Sequence, residues 1–289
     1  MANAVNALAL RPAQTKAGQL RRMVEIVLFV ALWIGIGLRF QLDADAYLLL
    51  GIPLTVFFQL AIRRKPIRAL WVRSAPSVCW DRRTLIPLLG LLVVPCIGLL
   101  HTLRSPSGID WIRAGWFASA VVGAFAAAYS LRNFTRETLD SLYRCLGTAG
   151  LYGGIMVLAA AAASHFPVRS QISMLRVAIE SLLAYVPVTF LLEEVTFRGL
   201  LDSHVYEPGE KWNIPSALLV SILWGVWHLP IAPRQGPIIL LAARLILAHS
   251  LLGVPLSLYW RRSGNLGVPA FTHSLVDAVR NALLSGFWI

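Results

Sequence analysis

Apolar runs of roughly 18 residues or more recur along the whole of this 289-residue chain, each long enough to cross about 30 Å of hydrocarbon as a helix. A soluble domain breaks such runs with charged surface. Here 57% of residues are hydrophobic and 14% are charged, against about 25% charged in ordinary globular chains. The expected fold is therefore all-α: a polytopic transmembrane helical bundle of about eight or nine spans with short interfacial helices.

Hydropathy places candidate spans at 23–41, 45–62, 84–101, 114–131, 147–165, 174–200, 214–232, 237–260 and 266–288. Residues 1–22 form a basic tail, and the loop 63–83 is rich in Arg and long enough for a short interfacial helix. The stretch 132–146 (RNFTRETLDSLYRCL) reads as an amphipathic interfacial segment. Lys and Arg outnumber Asp and Glu by 26 to 14, a net charge of +12. In a membrane protein that excess sits beside anionic lipid and sets topology, so no nucleic-acid partner is expected. With the N-terminus inside, 18 basic residues fall on cytoplasmic segments and 6 on the opposite side, which favours a cytoplasmic N-terminus. No cleavable signal peptide is expected, because the first apolar run continues as a full span. The three cysteines are scattered and suggest neither a disulfide framework nor a metal site. With only three lysines, the basic residues are almost all Arg, a bias that reads as bacterial and points to a multi-pass protein of the inner (cell) membrane.

Ionisable groups at membrane depth are costly and mark functional sites. They concentrate in 174–289, which holds Glu180, Glu193, Glu194, Arg198, His228, Arg244, His249, His273, Asp277 and Arg280. The chain is thus expected to divide into the tail 1–22, N-terminal transmembrane helices over 23–173, and a transmembrane core over 174–289, where any chemistry belongs. In LLEEVTFRGLL, helical spacing lets Glu194 pair with Arg198 at i,i+4, while Glu193 is turned about 100° away. One carboxylate is then held as a charge partner and the other is free to act on water; the bland alternative is a solvated helix end. In LLVSILWGVWHLP, Trp224 lies one turn from His228, which taken alone reads as a hydrogen-bonded histidine beside belt aromatics. In GNLGVPAFTHSLVDAVRNA, His273 and Asp277 share a face, so the carboxylate can orient the ring. The three segments together supply a general base and imidazoles that position water or an oxyanion. The same side chains could instead ligate zinc, through Glu193, His228, His273 and Asp277. HExxH and GxSxG patterns are absent.

These segments resemble the CPBP family of intramembrane proteases, also called the ABI or CAAX-protease family. EExxxR matches Glu193, Glu194 and Arg198; HxxxN/D matches His273 and Asp277, after the Gly264-Asn265 lead-in of bacterial members. FxxxH matches at His228 but carries Trp224 in place of Phe. The resemblance implies an intramembrane endopeptidase acting on a membrane-embedded or lipid-anchored protein or peptide. It casts Glu193 as the base that activates water, Glu194 and Arg198 as a supporting pair, and His228 as the group that positions water or the oxyanion. His273 and Asp277 complete the site. Glutamate-type chemistry without a cofactor is favoured over zinc. Trp224 and His249 are candidates for the substrate cavity, although His249, Arg244 and Glu180 match no motif and read more simply as interhelical contacts. The alternative function is a non-enzymatic membrane immunity or scaffold protein of the same fold. A proton-relay transporter is disfavoured, because the polar cluster occupies one half only. One conflict stands on these boundaries: Glu193 falls near the cytoplasmic end of its span and His228 deep in the next.

Overall fold

A computed structural model describes residues 16–73, 77–163, 171–206, 214–233 and 236–285. The first fifteen residues of the basic tail, and Arg169, Lys211 and Arg234 from the charge count, lie outside the described residues. The helices are α1 (Lys16–Phe40), α2 (Ala44–Phe57) with a π continuation Phe58–Ile62, α3 (Arg82–Leu103) and α4 (Trp111–Arg132). Then come α5 (Arg136–Cys145), which passes through the π turn Leu146–Gly150 into α6 (Leu151–Ala163), and α7 (Gln171–Thr189). A long π stretch, Phe190–Asp202, joins α7 to α8 (Ser203–Val205), followed by α9 (Ile214–Trp227), α10 (Ile238–Ser263) and α11 (Gly267–Arg280) with a π end, Asn281–Ser285. Among the described residues the sole β feature is an isolated bridge, Val72 to Asn265. Among the described residues, seven helices are long and apolar enough to cross a membrane. The protein is a multi-pass, all-α bundle.

Local chemistry sets the helix ends. Asp43, Asp81, Asp110 and Thr135 each accept first-turn N–H groups and so open α2, α3, α4 and α5. Gly264 takes φ +62 at the end of α10, a left-handed position suited to glycine. Asn265 then accepts the Gly267 N–H at 2.9 Å and donates to the Ser130 carbonyl at 2.8 Å. The Gly-Asn lead-in is thus the hinge that turns α10 into α11. The amphipathic stretch at 136–145 is not a separate interfacial helix. It continues without a break into α6, the two forming one span over Arg136–Ala159, because no proline interrupts the ladder there.

The Arg-rich segments meet at one end of the bundle. Arg22 donates to the His204 carbonyl, Arg63 to the Gly199 and Ser203 carbonyls, and Arg73 to the Arg261 carbonyl. Arg132 pairs with Asp81 and Arg262 with Asp140. This common end also settles the depth conflict. The α7–α8 element runs on to Val205, beyond the expected boundary at 200, so Glu193 lies about three turns inside. α9 is only 14 residues long, about 21 Å at 1.5 Å per residue, and delivers His228 to similar depth. It stops early because Leu229-Pro230 disfavours further helix.

One apolar core runs through both halves of the chain. Trp33 stacks edge-on against Trp227 at 5.0 Å, and the Tyr47 hydroxyl donates to the Trp227 carbonyl at 2.9 Å. The N-terminal helices therefore brace α9 from behind. On its other side α9 approaches α10 closely: a Cβ on Gly225 would lie 2.8 Å from the Ile246 Cα and the Leu245 carbonyl oxygen. Small residues permit such approach between membrane helices. Gly225→Ala is expected to force α9 and α10 apart and lower stability by about 1–3 kcal/mol, seen as a reduced melting temperature in detergent. An unchanged melting temperature would mean that the two helices can part without strain.

Candidate active site

The EExxxR segment is not an α-helix. Phe190–Asp202 forms i→i+5 bonds for thirteen residues, and π segments are frequent at functional sites. The ladder is already interrupted just upstream, where Pro187 lacks an N–H. Gly199 lets this stretch press on the chain: its Cβ would stand 2.5 Å from the Leu70 carbonyl oxygen. Arg63 ties down the far end through the Gly199 and Ser203 carbonyls, each at 3.1 Å. Burial pushes the Arg63 guanidinium down to about 10, with the neighbouring charge of Arg73 adding to the effect; it stays charged at neutral pH.

The adjacent glutamates face different partners. Glu194 is fully buried, 3.5 Å from Arg198 Nε, itself fully buried. Its other oxygen lies 2.9 Å from His273 Nδ1. His273 Nε2 is 3.5 Å from Asp277, and Asp277 pairs with Arg280 at 2.8 Å. The result is a row across two elements: Arg198, Glu194, His273, Asp277, Arg280. The Arg198 guanidinium also lies 4.2 Å over the Trp224 ring, a cation–π contact strengthened by exclusion of water.

Glu193 is only 16% exposed and turns toward α9, where it accepts the Trp224 indole N–H at 2.9 Å. Its Oε2 is 3.9 Å from His228 Nε2, too far for a direct hydrogen bond. His228 Nδ1 faces the Trp224 carbonyl at 2.9 Å. A carbonyl can only accept, so Nδ1 carries the hydrogen and the neutral ring presents Nε2 as an acceptor on the Glu193 side. His249 does the same from α10: Nδ1 donates to the Leu245 carbonyl at 2.6 Å. Its ring packs on His228 at 4.1 Å and meets the Trp224 ring at 4.5 Å, near-perpendicular.

Residues 175–279 match the family model Rce1-like, described as Type II CAAX prenyl endopeptidase Rce1-like. This part of the chain is similar to the CAAX-protease family. The match supports a CAAX-type intramembrane endopeptidase, with a protein substrate and a lipid bilayer as its surroundings. No curated protein and no solved structure matches the chain.

The six motif residues converge on one site. His249, which no motif contains, joins them through ring contacts, while Trp224 is buried and touches the cluster from within. Arg244 is exposed and Glu180 pairs with Arg176 at the surface; neither reaches the cluster. Sequence reasoning gave no role to Arg280 and did not single out Tyr185. Arg280 stands one turn beyond Asp277, an i,i+3 spacing that announces the pair. Tyr185 stands two turns before Glu193 and neighbours Arg280 and Asn281. A tetrahedral zinc site needs about four N or O ligands converging near 2.0–2.2 Å. Both His273 nitrogens instead face carboxylates, and among the described residues no three His, Cys, Asp or Glu side chains converge as a metal-binding group. The donor set does not fit zinc in this arrangement.

Proposed function

We propose that the protein is an intramembrane endopeptidase in which Glu193 activates the attacking water. Glu193 takes a proton from water as the oxygen attacks the scissile carbonyl carbon. The tetrahedral oxyanion forms between the helices, and the proton passes from Glu193 to the departing amine as the C–N bond breaks. His228 presents Nε2 beside Glu193 and positions the water, with His249 packed on its ring. The Glu194–Arg198 pair, His273 and Asp277 hold the π stretch and α11 in register, and His273 edges onto Trp224 at 4.9 Å. Residues 174–289 carry the chemistry, and the helices of 23–173 frame it. The observation that supports this division of labour most is the divergence of two adjacent carboxylates. Glu194 is fully buried, with one oxygen bonded to His273 and the other facing Arg198 at 3.5 Å, whereas Glu193 is partly exposed and turns an oxygen toward His228.

The substrate class is a membrane-associated protein or peptide, such as a leader peptide, signal remnant or sorting-tail helix. The Arg-rich end is assigned to the cytoplasm of a bacterial cell, with the N-terminus inside. The test is maturation of candidate membrane substrates in the native host by Glu193→Ala, with His228→Ala as comparison. Loss of processing with a folded variant supports the assignment, and normal processing contradicts it. Because no step runs through a metal, strong chelators are expected to leave cleavage by purified protein unchanged. Inhibition that is reversed by added zinc would overturn this.

A further inference from the structure

Trp224 stands where the FxxxH pattern has phenylalanine, and the difference is one hydrogen-bond donor. We infer that Trp224 is a positioning residue for the general base, its indole N–H fixing the Glu193 carboxylate in the orientation that faces His228. This rests on the assignment of Glu193 as the base.

The contacts around the indole are unusually complete. Its N–H meets Glu193 Oε2 at 2.9 Å, Arg198 covers its ring at 4.2 Å, and His249 and His273 abut it at 4.5 and 4.9 Å, both near-perpendicular. Its own carbonyl accepts the His228 Nδ1–H. One residue thus touches the base, the water-positioning histidine, and both members of the charge row nearest them. The ring is 1% exposed and its rotamer is locked by these neighbours, so the N–H direction is fixed. A hydrogen bond to an ionised acceptor is short, directional and about twice as strong as a neutral one. A flexible glutamate held at one oxygen gives up rotamer freedom before the substrate arrives, which is what positioning contributes to rate. Phenylalanine fills the space without doing this.

The test replaces Trp224 with L-3-benzothienylalanine, which keeps the bicyclic shape and π face but has sulfur in place of N–H. Trp224→Phe is measured beside it. With a lipid-embedded peptide substrate in proteoliposomes, the analogue is expected to lose about tenfold in kcat, with KM unchanged, a loss equivalent to about 1.4 kcal/mol. Its melting temperature is expected to match that of the native protein. Trp224→Phe is expected to show at least the same loss. In indole-¹⁵N-labelled protein, the Trp224 N–H proton resonance is expected to move upfield in Glu193→Ala, while that of Trp227 stays in place. Full activity of the benzothienyl protein, or an unmoved Trp224 resonance, overturns the positioning role. The two levels separate cleanly. If Glu193→Gln is inactive while the analogue is fully active, only the role of Trp224 falls; if Glu193→Gln is fully active, the base assignment falls and takes it along.

Discussion

Glu193→Gln is expected to slow peptide-bond hydrolysis by about 10²–10⁴-fold, the usual contribution of a positioned general base, while the protein stays folded. The amide keeps the size of the side chain and an oxygen for the Trp224 N–H, so the 2.9 Å contact survives in weaker form. What it loses is the ability to take a proton from water. Glu193 is partly exposed and belongs to no tight ion pair, so the change in stability is expected to stay within about 1 kcal/mol. Cleavage kinetics together with thermal unfolding in detergent measure both halves. A collapse in stability equal to the loss of rate would assign Glu193 a structural role instead.

The neighbouring pair should behave in the opposite way. Arg198→Ala is expected to cost about 3–5 kcal/mol, the penalty for stranding the other member of a buried ion pair. Glu194 would keep only His273, and Trp224 would lose the cation on its ring. Such a loss is a large share of the roughly 5–15 kcal/mol that holds a typical protein together, so the variant is expected to express poorly and melt early. The double variant Glu194→Gln with Arg198→Met removes both charges at nearly constant volume. It is expected to recover much of the lost stability, because the single replacement suffers mainly from the uncompensated charge. If the single variant melts like the native protein, the pair does not hold the π stretch.

The sequence spacing was enough to read the Glu194–Arg198 and His273–Asp277 pairs, because i,i+4 neighbours meet whatever the rest of the fold does. Membrane spans were legible for the same reason: an 18-residue apolar run has few other options. Features that depend on distant contacts were not. The π register over Phe190–Asp202 leaves no mark in hydropathy, and it changes which faces Glu193 and Glu194 present. The early stop of α9 merged with an apolar loop, so His228 looked misplaced relative to Glu193 until the common Arg-rich end fixed their depth. His249 matches no motif; it joins the site because Gly225 lets α10 lie against α9. Trp224 read as a simple aromatic replacement, whereas its donor is aimed at the base.

The most direct measurement of the central claim is isotope incorporation by purified protein. Native protein and Glu193→Gln, each in liposomes, are given membrane-anchored peptides in H₂¹⁸O, and the products are weighed by mass spectrometry. Hydrolysis by an activated water predicts new C-terminal carboxylates carrying one ¹⁸O with the native protein, formed about 10²–10⁴-fold more slowly by Glu193→Gln. Equal cleavage by both proteins, or peptides bound intact by both as expected of an immunity or scaffold protein, would contradict it.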